Sequence, residues 1–374
     1  MNGTSTGRVC QYFGRPAPAS STGPFAPKRS AGRCAELLWA APHARVRVHP
    51  RTRTRTRTRT RPEVPVTPPR IPLAAALAEG PVALDGGMSN ELAADGHDLS
   101  DALWSARLLR DAPEAVAAVH RRYFEAGARV AITASYQASF EGFARVGADR
   151  AEAEELLRRS VTLAREAAES AEDSTGAAAD RWVAASVGPY GAVLADGSEY
   201  RGRYGLSHAA LRAFHAPRAE VLASASPDVL AIETVPDIDE AVAVLDAVAG
   251  LDTPVWLSYS AAAGLTRARQ PLAEAFAVAR DNPQVIAVGV NCLAPEEAAD
   301  AVALAAEVSG KPVVVYPNSG EGWDATARAW TGPATFSPAR VASWLTAGAR
   351  LLGGCCRVGA NQIAALDKEL QAAR

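Results

Sequence analysis

The sequence predicts an α/β protein: a (β/α)8 barrel of the TIM type preceded by a disordered basic N-terminal segment. Three observations carry that prediction. After residue 72, eight short apolar runs alternate with longer amphipathic stretches rich in Ala, Glu and Arg, the pattern of parallel strands joined by crossover helices. The apolar runs are continuous rather than alternating, as strands covered on both faces require. The roughly 300 residues that remain are the length eight such units occupy. A doubly wound open sheet is the rival architecture, but the Gly-rich first turn that it wants is missing. The chain therefore divides into a leader, 1–72, and a barrel domain, 73–374.

The expected strands are residues 81–84, 129–133, 181–186, 229–233, 254–258, 285–291, 312–316 and 350–353. The clearest helical patterns between them are 113–126, 150–171, 207–225, 238–248, 295–308 and 338–347. Two of these open with Pro in the first turn, at Pro113 and Pro295, where a missing N–H costs nothing. In a barrel of this kind the reactive groups gather just past the C-terminal ends of the strands. Polar residues sit at those ends here. Strand 1 runs into Asp85-Gly86-Gly87, strand 2 into Thr133-Ala134-Ser135-Tyr136-Gln137, and strand 3 into Ser186-Val187-Gly188-Pro189-Tyr190. Strand 4 ends in Glu233-Thr234, strand 5 in Ser258-Tyr259-Ser260, and strand 6 in Asn291-Cys292. Strand 7 ends in Tyr316-Pro317-Asn318-Ser319-Gly320-Glu321 and strand 8 in Gly354-Cys355-Cys356.

The thiols are the most informative of these groups. Adjacent cysteines seldom join to each other, because the ring so formed strains the backbone. Cys355 and Cys356, diverging from one turn and meeting Cys292 from another strand end, would make a zinc site with three thiolates and one open position. Buried free cysteines also serve as small hydrophobes, but placement of all three at strand ends disfavours that role. A redox pair is a further possibility, although two adjacent cysteines lack its usual two-residue spacer.

Composition excludes other classes. Of 374 residues, 48% are hydrophobic and 21% charged, as in a water-soluble globular protein. Five cysteines do not form a secreted disulfide framework, and a reducing cytoplasm is the expected setting. No apolar run is long enough for a membrane span. Of the 39 basic and 41 acidic residues, the first 72 residues hold 14 and 2, which leaves 25 and 39 for the rest. The leader contains an Arg-Thr repeat from Arg51 to Thr60 that can form no core, so disorder is expected. Three readings compete for it: a nucleic-acid-binding arm, a transit peptide, and a segment outside the mature protein if translation begins at a non-Met codon near Val64 or Val66. The acidic remainder argues against nucleic acid contact beyond the arm. Cys10 and Cys34 lie in this leader and receive no role.

At these residues the chain resembles the homocysteine S-methyltransferase family, zinc-dependent enzymes that methylate homocysteine to methionine. The motifs that carry the resemblance are Leu84-Asp85-Gly86-Gly87-Met88, Thr133 to Ser139, Ile232-Glu233-Thr234, Gly289-Val290-Asn291-Cys292, Tyr316 to Glu321, and Gly353-Gly354-Cys355-Cys356-Arg357. The double glycine and double cysteine with an upstream Asn-Cys are specific in combination. The resemblance implies one Zn2+ per chain on Cys292, Cys355 and Cys356, with homocysteine and a sulfonium methyl donor as the small-molecule partners. The segment Ser135 to Ser139 looks like the branch using S-methylmethionine, or S-adenosylmethionine less well, rather than betaine. A selenocysteine acceptor is the nearest alternative. Glu233 is implied on the substrate ammonium, with Asp85, Gly86 and Gly87 near the same end. Asn291, Tyr136, Gln137 and Asn318 are further candidates for the substrate site. One departure falls in the loop Ala261 to Gln270, where the family often shows a more polar sequence; that loop borders the expected donor pocket. The chemistry needs no acid–base histidine, and none of the six histidines ends an expected strand.

Overall fold

The computed structural model describes residues 69, 71–101, 103–171, 180–324 and 329–373. The leader expected to be disordered, up to residue 68, lies outside the described residues, as do Cys10 and Cys34. The barrel strands, numbered in chain order, are β1 Val82–Ala83, β2 Val130–Ile132, β3 Trp182–Val187, β4 Val229–Val235, β5 Val255–Ala262, β6 Val285–Asn291, β7 Val313–Tyr316 and β8 Ala349–Leu352. Each pairs in parallel with its neighbour, from β2 through β8 and on to β1. A parallel bridge between Leu84 and Val130 closes the ring, with Arg129 N donating to Ala83 O at 2.8 Å and Asp85 N to Val130 O at 3.1 Å. The expected (β/α)8 barrel is what forms.

Side-chain parity along the strands organises the interior. A strand sends alternate residues to opposite faces. Leu230 and Ile232 on β4, or Val288 and Val290 on β6, join the core between strands and surrounding helices. The opposite parity fills the lumen: Val82 and Leu84, Val130, Trp182 and Ala184, Val229 and Ala231, Trp256, Ala287, Val314 and Tyr316, and Leu351. Small residues at 184, 231 and 287 leave room for the two indoles. The helix Leu73–Glu79 contributes Leu73, Ala76 and Leu77 to this same cluster, and Trp182 Nε1 donates to Ile71 O at 3.0 Å. The lumen is thus packed at the end where the strands begin.

The outer helices follow their sequence signals. Pro113–Glu125 starts with Pro at its first position. Arg150–Ser170 is capped by Asp149, whose side chain accepts from Glu152 N, and His208–Ser224 by Ser207. Two expected helices, 295–308 and 338–347, begin instead as 3-10 turns, at Pro295–Glu297 and Pro338–Arg340. Strand β5 differs more. Expected to end at 258, it runs on to Ala262, turns at Ala263 and Gly264, both with positive φ (52° and 73°), and returns antiparallel as Leu265–Thr266. Two consecutive residues of positive φ make the turn that matches hairpin twist. The run of alanines concealed this hairpin, because only Gly264 signals a turn.

Trp256 is fully buried in the lumen, its ring edge-on to Tyr316 at 6.5 Å. Trp256→Ala is expected to cost about 3–5 kcal/mol, measured by denaturant unfolding. A loss below about 1 kcal/mol would show that the lumen is not the packed core that its burial implies.

Candidate active site

The lumen parity that is apolar low in the barrel turns polar at the upper end. Above Ala184 comes Ser186, above Ala231 comes Glu233, above Trp256 come Ser258 and Ser260, and above Gly289 comes Asn291, all buried. Glu233 accepts from two donors on other strands, the Ser186 hydroxyl through Oε1 and the Tyr316 hydroxyl through Oε2 at 3.0 Å. Tyr316 in turn accepts from Trp256 Nε1 at 3.4 Å. The carboxylate is therefore fixed from below by the packed floor. Burial pushes its pKa up to about 7, against the lowering effect of the two hydroxyls and with a further rise from Cys356.

Asp85 stands beside it. Its Oδ2 accepts from Ile132 N at 2.8 Å, while Oδ1 is buried with no partner. Burial pushes this carboxyl well above the usual range; the Ile132 N–H opposes the shift and the Glu233 charge adds to it. A buried carboxylate oxygen without a donor is costly, so Asp85 presents an acceptor to a ligand. The two glycines that follow serve the fold. Gly87 N donates to Val358 O at 2.9 Å, and a side chain at Gly87 would stand 2.7 Å from Cys355 O. The loop after β1 lies too close to the cysteine turn for any other residue.

The three thiols converge. Cys292 Sγ lies 2.7 Å from Cys355 Sγ, and Cys355 Sγ 4.0 Å from Cys356 Sγ; all three sulfurs lie within 4.8 Å of one another. All are free. Cys356 is held well below the usual thiol range by hydrogen bonds from Cys292 and Cys355, and Cys355 is pushed up, chiefly by its bond to Cys292. Three soft donors from two strand ends, clustered at this spacing, suit one thiophilic metal.

The surrounding loops fix the thiols in place. Cys355 N donates to Pro317 O at 2.8 Å, Ser319 N to Cys356 O at 2.9 Å, and Cys356 N to Asn318 Oδ1 at 3.1 Å. Asn318 thus holds the cysteine turn. Asn291 is fully engaged. Its Oδ1 accepts from Thr234 N and Ser258 Oγ, both at 2.9 Å, and its Nδ2 donates to Thr234 Oγ1 at 2.7 Å and to Cys292 Sγ at 3.5 Å. Cys292 and Thr234 both adopt positive φ, 51° and 58°. For a β-branched residue that conformation is an outlier, of the kind that collects at functional sites. Gln137 donates to Ala192 O at 3.2 Å. Tyr136 hydrogen-bonds Thr234 and stands within the field of Cys292. Sequence reasoning missed Ser186, Tyr316, Glu199, Tyr200 and Arg267. Ser186 and Tyr316 ended expected strands, and strand parity with Glu233 would have found them. Arg267 comes from the hairpin that the alanine run hid; its guanidinium donates to Cys292 O at 3.1 Å and lies 5.5 Å from the Tyr200 ring. Among the described residues no histidine joins the cluster. His120 lies in Pro113–Glu125, and His215, in His208–Ser224, pairs with Glu240 at 3.0 Å.

A (β/α)8 barrel with a three-thiol cluster and a pair of buried carboxylates at its rim defines the class: a barrel enzyme with a three-cysteine site that could hold a metal ion. The family follows from comparison. The homocysteine S-methyltransferase family model matches residues 82–370, and the chain belongs to that family. Homocysteine S-methyltransferase 4 of Zea mays is 45% identical over 312 residues, covering 79% of this chain and 91% of its own. Homocysteine S-methyltransferase of Escherichia coli is 43% identical over 302 residues, covering 79% and 97%. The crystal structure of the homocysteine methyltransferase MmuM from Escherichia coli, in its metallated form, superposes with a TM-score of 0.72 at 42% identity, over 80% of this chain and 99% of that one.

Burial of Glu233 has a consequence for stability. An unfolded Glu titrates near 4.3, whereas folded Glu233 titrates at about 7, so the folded state holds this proton more tightly. That contribution is fully present below the unfolded value and is lost as pH rises through about 7, roughly 3 kcal/mol in all. The metal-free protein is expected to be less stable at pH 8 than at pH 5 by denaturant unfolding, and Glu233→Gln to remove that part of the slope. A wild-type slope no steeper than the variant's would show that Glu233 is not desolvated as described.

Proposed function

We propose that the protein moves a methyl group from a sulfonium donor, S-methylmethionine foremost and S-adenosylmethionine second, to the thiol of L-homocysteine, giving methionine. Residues 73–374 are the homocysteine-binding barrel. The observation that carries this reading is the cluster of Cys292, Cys355 and Cys356 at one point of the barrel rim. The same three residues would hold one Zn2+, with the half-buried Cys355 and Cys356 leaving the outward side for substrate. Bound zinc would supply the acidity that makes the homocysteine thiol a thiolate at neutral pH, where a free thiol is mostly protonated.

The chain's own residues do the rest. Asp85 and ionised Glu233 receive the substrate ammonium through charge-assisted bonds, and the Tyr316 and Ser186 hydroxyls orient Glu233 for that contact. Asn291 and Asn318 act as positioning residues, the first for Cys292 and Thr234, the second for Cys356. Gln137 and Tyr136 shape the wall on the β2 side. The transfer is an in-line displacement: a bond forms between the homocysteine sulfur and the methyl carbon, the donor sulfonium's bond to that carbon breaks, and its electron pair returns to the donor sulfur. The leaving thioether is neutral and asks for no proton. Small-molecule substrates of this kind need no membrane, and among the described residues no helix is long and apolar enough to cross one. The three free thiols fit a reducing cytoplasm.

Elemental analysis of the purified, reduced protein is expected to find about one zinc per chain. Cys292→Ala, Cys355→Ala and Cys356→Ala should each lose the metal and methyl transfer while circular dichroism stays near wild type, because the lumen and helix cores do not include the metal. An active variant without zinc would overturn the mechanism. Glu233→Ala should raise the KM for homocysteine by one to two orders of magnitude, as expected for a lost charge-assisted contact, with less effect on the KM for the donor. Unchanged homocysteine kinetics would remove Glu233 from the substrate site.

A further inference from the structure

The loop after β3 carries a third buried carboxylate of the rim, one that the homocysteine site does not use. Glu199 lies in the 3-10 turn Ser198–Tyr200, entered through Gly197 at φ 80° and left through Gly202 at 65° and Arg203 at 52°. The turn is anchored. Gly202 N donates to Ser198 O at 3.0 Å, Arg203 N to Asp237 Oδ2 at 3.0 Å, and Tyr204 OH to Glu240 Oε2 at 3.2 Å. Glu199 is only 8% exposed, and its Oε2 is buried with no hydrogen-bond partner.

The turn opens onto the thiol cluster. The neighbouring Tyr200 ring lies 5.5 Å from the Arg267 guanidinium, which itself donates to Cys292 O at 3.1 Å. The Glu199 charge acts on Tyr136 more than that of any other charged group, and also on Tyr204; Cys356 in turn acts on Glu199. The nearby arginines make their side-chain hydrogen bonds to other groups, although the Arg201 charge is felt by Glu199. Arg201 bonds Ser198 Oγ at 2.6 Å and stands 4.0 Å from Asp196. Arg267 bonds the Cys292 carbonyl, and Arg218 bonds Gly188 O and His215 Nδ1. Burial pushes Glu199 above the usual carboxylate range; its own backbone N–H and the Arg201 charge oppose the shift, and Asp196 and Cys356 add to it. A buried carboxylate of this kind is costly until a ligand brings the opposite charge.

We propose that Glu199 is the counter-ion of the cationic methyl donor, with the Tyr136 and Tyr200 rings lining the same subsite. The inference rests on the methyl-transfer reading above. Homocysteine's ammonium has Asp85 and Glu233; the donor brings a second positive charge to the same rim, and Glu199 meets it. The aromatic faces favour a soft cation.

The test compares wild type, Glu199→Gln and Glu199→Asp in their zinc-loaded forms. The donors are S-methylmethionine and trimethylsulfonium, which lacks an amino group. Glu199→Gln is expected to raise the donor KM about tenfold or more while zinc content and the homocysteine KM stay at wild type. Glu199→Asp should recover part of the loss, because it retains the charge. A rise for both donors assigns Glu199 to the sulfonium; a rise for S-methylmethionine alone assigns it to the donor's ammonium. An unchanged donor KM in Glu199→Gln overturns the inference, as does an equal rise in the homocysteine KM. If wild type transfers methyl from neither donor, the proposed function fails. Calorimetric binding of S-methylmethionine to wild type but not to Glu199→Gln would then still establish the cation site.

Discussion

The hydrogen bond from Tyr316 to Glu233 joins the two halves of the barrel. Tyr316 belongs to the lumen packing, edge-on to Trp256, yet its hydroxyl reaches across to a carboxylate on β4. A tyrosine has an apolar body and a polar tip, and here the body completes the floor while the tip begins the site. Everything above it inherits that placement. Glu233 cannot turn away without leaving a buried hydroxyl unsatisfied, and Ser186 closes the other side of the same carboxylate. The rigidity of the reactive rim is thus borrowed from dispersion and burial beneath it, which is how a site holds geometry while its own loops stay small.

The electrostatics follow from this placement. Asp85, Glu199, Glu233 and the cysteines are all anionic when ionised and all sit in a medium that penalises charge. The result is raised carboxyl pKa values, and a rim that gains stability when positive charge enters it. Amino-acid ammonium groups and a sulfonium are positive charges of that kind. Arginines stand nearby, but Arg267 and Arg218 donate to the backbone carbonyls of Cys292 and Gly188, while the Arg201 charge acts on Glu199.

Much of this was legible in the sequence because a parallel barrel couples position to chemistry. Strand ends are marked by the change from Val, Ile and Ala to Asp, Glu, Asn and Cys, and the topology gathers those ends on one rim. Cys292, Cys355 and Cys356, 63 residues apart in two groups, were readable as one cluster for that reason alone. Roles were harder to read than membership. Asn291 and Asn318 resemble substrate ligands in sequence, but their amide atoms meet the cysteine turns, and only the pairing register reveals it. Gly87 reads as part of the substrate end, and its N–H donates to Val358 O. Glu199 was invisible because Asp-Gly-Ser-Glu-Tyr has the composition of an exposed turn. The segment that follows it is tied to Asp237 and Glu240, both remote in sequence, through Arg203 N and the Tyr204 hydroxyl.

Backbone strain shows where the fold gives way to function. Cys292 leaves β6 with positive φ, and Thr234 adopts the same sign one residue before the end of β4, where the pairing register shifts. Neither residue favours that conformation, and neither turn contains a glycine to relieve it. Asn291 explains how both persist: one amide bonds the Thr234 N–H and hydroxyl and also reaches the Cys292 sulfur. Two strained strand ends are tied by a single side chain that is itself buried and fully satisfied, so relaxing either end would leave buried polar atoms without partners. The strain aims Cys292 at Cys355 rather than along its own strand. The three thiols are held close enough to share one metal ion.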